Sequence, residues 1–132
     1  GFMITKGSTL TEIYTYFIGK LIELLKSEKK IDKTVFLSDG AKIHTANFYR
    51  SIYTNRIGFI RLPAYSPELN PIELCWSKWK REVKRGGTIY GEDDLIFRIA
   101  RASNSITPKD CKAWLKHTIS FYKKCFLRQN LY

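Results

Sequence analysis

Two carboxylates stand where a chain often places its chemistry. Asp39 closes the short, β-rich apolar run Thr34-Val35-Phe36-Leu37-Ser38, and Glu73 opens a helix whose start is marked by Asn70 and Pro71. Thirty-three residues lie between them. Hard oxygen ligands held at the ends of two rigid elements can share a Mg²⁺ ion, an arrangement suited to cleaving phosphodiesters. Each acid also has a plainer use. Asp39 followed by Gly40 is a common turn signature. Asn70, three residues before Glu73, has the spacing of a capping box, in which the glutamate merely satisfies a backbone donor.

The charge balance favours a polyanionic partner over a basic surface without a ligand. Lys and Arg total 23 against 12 Asp and Glu, giving a formal net charge of +11 and a pI near 9.7, the footprint of a nucleic-acid binder. Lys78, Lys80, Arg81, Lys84 and Arg85 follow Glu73, largely opposite the apolar stripe Ile72, Trp76, Trp79 and Val83. They read either as a phosphate-binding face or as an ordinary solvated one. By helical spacing the two tryptophans belong to the core rather than to a base-stacking surface. Lys42 and His44 lie just past Asp39, where Lys42 suits a phosphate contact. His44 suits a DNA contact, a partner of a metal-bound group, or a helix-start residue bonded to backbone.

With 132 residues, 44% hydrophobic and 14% aromatic, the sequence fits one globular domain spanning 1–132 and excludes a disordered chain. Cys75, Cys111 and Cys125 are odd in number and lack C-x-x-C spacing, which argues against a disulfide framework or a zinc cage and for a reducing compartment. His117 near the last two cysteines lacks ligand spacing and is structural. No apolar run reaches the roughly 18 residues needed to span a bilayer, and the opening residues lack the pattern of a secretory signal.

The expected elements supply the frame. Gly1–Thr5 reads as the end of a strand. The string Thr9-Leu10-Thr11-Glu12 opens a helix to about Lys26, with Ile13, Phe17, Leu21, Leu24 and Leu25 as its apolar face. The strand over 34–38, a helix over 45–53 marked by Phe48 and Ile52, and a strand over 58–62 follow, an order that predicts parallel pairing through a crossover helix. Ligands of open α/β sheets sit beyond the carboxyl ends of such strands, where Asp39 falls. The helix after Pro71 ends at Gly86-Gly87, and two more are predicted, over 92–103 and 108–127, the last capped by Thr107.

The composite string is more specific than its parts. Leu62-Pro63-Ala64-Tyr65-Ser66-Pro67-Glu68-Leu69-Asn70-Pro71-Ile72-Glu73, with Trp76 to Lys80 behind it and Ser38-Asp39-Gly40-Ala41-Lys42-Ile43-His44 ahead of it, resembles the catalytic domain of mariner-superfamily transposases and their insertion-sequence relatives. The resemblance implies an α/β, ribonuclease H-like fold, a mixed sheet flanked by helices. It also implies a DDE or DDD triad that cleaves transposon-end DNA with two Mg²⁺ or Mn²⁺ ions and joins the freed end to target DNA. Asp39 matches the second acid of that triad and Glu73 the third.

The sequence departs from the family pattern in two places. The first triad aspartate belongs to an opening strand, and no acid precedes Glu12 here, so the expectation is a partial domain truncated at its amino end. Gly40 stands where the family usually has asparagine. An incomplete sheet would expose an edge, which points to a homodimer or to a partner supplying the missing strand. The competing reading is a domesticated, inactive domain that keeps the basic surface as a nucleic-acid-binding or scaffold module; a third is an unrelated nuclease of the same fold. The stretch from Ser105 to Cys111 looks like eukaryotic members and suggests the nucleus, with cytoplasm or nucleoid expected for a bacterial protein.

Overall fold

The computed structural model describes Ile4, residues 11–39 and residues 46–127, which fall into two compact units, Gly1–Tyr65 and Ser66–Tyr132. The strand expected over Gly1–Thr5 and the capping residues Thr9 and Leu10 lie outside the described residues, Ile4 apart.

The first unit contains α1 (Thr11–Ser27), β1 (Val35–Ser38), α2 (Ala46–Thr54) and β2 (Gly58–Arg61). β1 and β2 pair in parallel with Val35 opposite Gly58 and Ser38 opposite Arg61, as the strand, helix, strand order requires. Phe48 of α2 is the centre of the core. It is 1% exposed, and the rings of Tyr14, Tyr49, Phe59 and Phe36 surround it at centroid distances of 5.6, 5.2, 5.9 and 6.5 Å. Tilted and edge-on contacts of this kind contribute about 0.5–1.5 kcal/mol each beyond area burial. Ile18, Ile22, Ile52 and Ile57 complete the cluster.

The predicted stripe of α1 is covered in part: Phe17 packs against the core, and Ile13, Leu21 and Leu25 are half-buried. Ile18 and Ile22, four residues apart, face Phe48 together with Tyr14, whereas Leu24 is 48% exposed. The pair buried deepest adjoins the predicted face, and the position of α2 selects it, since both have helical period.

The second unit is helical: α3 (Ile72–Lys84), α4 (Gly91–Asn104) and α5 (Pro108–Phe126), preceded by a one-turn 3₁₀ helix at Pro67–Leu69. Thr107 caps α5 through a reciprocal capping box with Asp110, as its sequence position predicts. The turn between α3 and α4 is built around Arg98, which is 7% exposed. Its guanidinium donates to the Asp94 carboxylate and to the carbonyls of Gly86, Gly87 and Thr88. Glycine is favoured on two counts. Gly87 takes a φ of +75°, and a Cβ at Gly86 would come within 2.7 Å of the Arg98 guanidinium.

Candidate functional site

Asp39 follows the last paired residue of β1. The ladder ends with the Leu62 amide donating to the Ser38 carbonyl at 2.8 Å, and the Ser38 hydroxyl donates to the Asp39 carbonyl at 3.0 Å. Ser38 is buried while Asp39 is exposed, so the strand holds the backbone and presents the carboxylate at its end. The field of this acid is felt inside the unit. Burial, with the nearby Asp39 charge adding to it, pushes the Tyr14 phenol up to about 12.

Glu73 lies in the first turn of α3 and is exposed. The capping-box alternative is not what forms. Pro71 is the N-cap, no side chain caps the helix, and Asn70 contributes its carbonyl, accepting from the Glu73 amide at 3.1 Å. Among the described residues nothing hydrogen-bonds to or pairs with the Glu73 carboxylate. It projects from the first turn, the positive end of the helix dipole.

The loop before it is anchored by burial and by one directed bond. Leu69 is 7% exposed, and the Tyr122 hydroxyl of α5 donates to its carbonyl at 2.7 Å. Burial raises the pKa of that phenol, which keeps it a donor. No local sequence signal ties Tyr122 to a carbonyl 53 residues away.

The structure sorts the five basic residues that follow Glu73. Lys78 is spent on packing. Its ammonium donates to Asp110 at 2.7 Å and to the Ser105 carbonyl at 3.1 Å, joining α3 to the cap of α5. Arg85 reaches Glu82 at 3.3 Å and Arg81 reaches it at 3.9 Å, both on the surface where such pairs contribute little. Lys80 and Lys84, seven and eleven residues beyond Glu73, share its side of α3, and among the described residues neither is paired.

Trp79 is half-buried, as expected, with its indole N–H donating to Ser103 Oγ at 3.0 Å. Trp76 departs from the expected stripe. It is 44% exposed, packs edge-on against Trp79 at 5.9 Å, and stands between Glu73 and Lys80 on the outward side, because its neighbour fills the groove toward α4. Ile72 is likewise 43% exposed, which leaves Val83 as the buried residue of that stripe.

Gly40, Lys42 and His44 lie outside the described residues. Among the described residues no group of three or more His, Cys, Asp or Glu could hold a metal ion. Asp39 and Glu73 nevertheless offer oxygen donors and no sulfur, the chemistry that suits a hard divalent cation.

No helix of the described residues is long and apolar enough to cross a membrane. No curated protein matches the chain significantly. The family profile described as DDE superfamily endonuclease matches residues 1–96, a stretch that contains both carboxylates and the proline-rich loop, and the chain belongs to that family.

Proposed function

We propose that the chain is the core of a DNA transposase of the mariner type on a ribonuclease H-like scaffold, cleaving DNA at transposon ends and transferring the freed 3′-hydroxyl to a target. Asp39 and Glu73 serve as the second and third triad acids and hold Mg²⁺ or Mn²⁺. When bound, the metal neutralises charge on the scissile phosphate and lowers the pKa of the attacking water or hydroxyl.

The chain's own residues position and bind. The end of β1 fixes Asp39, and the Leu69–Tyr122 anchor steadies the turn from which α3 presents Glu73. Lys80 and Lys84 extend Glu73's side of the helix by about 10 and 16 Å at 1.5 Å per residue, a line along which a phosphate backbone can be held. Lys42 and His44 contact DNA beside Asp39, and Arg81 and Arg85 contribute at the rim. A second copy, or a partner chain supplying a further strand, belongs to the same proposal.

The observation that carries this reading is the Glu73 carboxylate, exposed at a helix start and not used as a cap. The test uses the full-length protein with transposon-end DNA. Asp39→Ala and Glu73→Ala should each lower Mg²⁺-dependent nicking by more than about a hundredfold, beyond the 10–100-fold typical of residues that only support a metal ligand. DNA affinity should stay near that of the parent. Nicking that survives either substitution would overturn the assignment, and binding without any nicking by the parent protein would favour an inactive, DNA-binding descendant.

A further inference from the structure

The family match ends at residue 96, and α5 lies wholly beyond it. Nothing in the proposed catalysis requires this helix to be basic, yet it carries five lysines against a single acid. That acid, Asp110, faces inward. The Lys78 ammonium and the Thr107 cap consume it and hold its carboxyl well below the usual carboxylate range.

The inward side of α5 is marked by Thr118, 1% exposed, with Trp114 and Tyr122 one turn to either side. Counting at 100° per residue from Thr118, Lys109, Lys112, Lys116 and Lys123 all fall on the opposite side, within about 60° of one another. All four are exposed, and among the described residues none makes an ion pair or a side-chain hydrogen bond. Lys124 is different, leaning over the Phe121 ring at 5.3 Å.

The row therefore runs about 21 Å along the helix with no counter-charge on its own face. We propose that it is a second DNA-backbone contact surface, separate from the side of α3 that carries Glu73. Lysine is a compact, strongly hydrated point charge on a flexible stem, suited to phosphates and without the planar fork that reads guanine. The surface fixes where the duplex lies and carries no sequence preference. An apolar edge, Leu115 and Ile119, flanks the row on one side, so an anionic membrane is the competing partner.

The test is the salt dependence of binding to a short duplex of arbitrary sequence by the 132-residue chain and by its Lys109→Gln, Lys112→Gln, Lys116→Gln triple variant. Glutamine preserves helix propensity, and an unchanged helical circular dichroism spectrum and melting curve confirm the fold. The plot of log affinity against log salt should flatten by about 0.9 for each contact removed, so the parent should lose about forty-fold more affinity than the variant between 50 and 200 mM salt.

An unchanged slope would overturn the proposal, as would weakening without a change of slope. Binding of phosphatidylserine vesicles that disappears in the variant while the DNA slope persists would assign the row to a membrane instead. The Lys80→Gln, Lys84→Gln variant reads α3 separately, so slope lost there alone would return the contact to that helix. Because no cleavage is measured, the result is independent of whether Asp39 and Glu73 are catalytic.

Discussion

The first unit closes around an aromatic ring and the second around a guanidinium. Phe48 gathers four other rings and four isoleucines by contacts that depend on shape and burial. Arg98 gathers three carbonyls and a carboxylate by bonds that depend on direction. Apolar burial can be re-formed by many neighbours of similar size, whereas a buried cation tolerates only the acceptors that satisfy it. The carboxylate presented by the first unit thus rests on packing, and the one presented by the second rests on a polar frame of Arg98, Lys78 and Tyr122.

The largest effect expected from this contrast is at Phe48. Phe48→Ala should cost about 3–5 kcal/mol in urea unfolding followed by circular dichroism, a large share of the 5–15 kcal/mol that holds a typical domain. Arg98→Ala should cost about 3 kcal/mol by the same measurement, since it removes a buried side chain, the bonds that close a tight turn and the charged partner of Asp94. A loss at Arg98 below about 0.5 kcal/mol would break the comparison, showing that the turn holds without its clamp.

The smallest effect is a pH dependence. The Lys78 ammonium, then the Thr107 cap, depress the Asp110 carboxyl in the folded protein. A depressed carboxyl stabilises the fold fully above its unfolded value of about 3.9, and that contribution fades as pH falls below it toward the folded value. Melting temperature measured from pH 6 down to pH 2 should therefore drop, and Lys78→Met should drop less steeply, because the cap alone remains to favour the charged form. Parallel acid limbs for the two proteins would show that the Lys78–Asp110 contact is not felt in solution.

Much of the frame was legible in the residues. The run 34–38 became β1, Phe48 and Ile52 became core, Thr107 became a cap, and Gly86-Gly87 ended α3. These features are local or periodic, and the physics that sets them acts within a few residues. The failures share a cause as well. Leu24 and Trp76 obey helical period but point away from the core, because the partner helix and not the period chooses which of two stripes is covered.

Of the proposed site, the acids were readable as candidates, while the surroundings of the cations were not. The family-specific loop located Glu73, while the missing cap, which frees that side chain, depends on the backbone of Asn70 and Pro71. Lys78 looked equivalent to Lys80 in the sequence. Only the approach of Asp110, thirty-two residues later, removes it from the exposed set. The lysines of α5 were visible as charges, and their lack of counter-ions became visible only when that single acid was seen to face inward.

The central proposal is that Asp39 and Glu73 are metal-ligating acids, and the most direct test is a titration of the isotope-labelled chain with substoichiometric Mn²⁺ by nuclear magnetic resonance. The amide signals around Ser38–Asp39 and around Ile72–Glu73 should broaden together, and Glu73→Gln should abolish the broadening at both places. Broadening near Asp39 that persists unchanged when Glu73 is replaced would contradict the account.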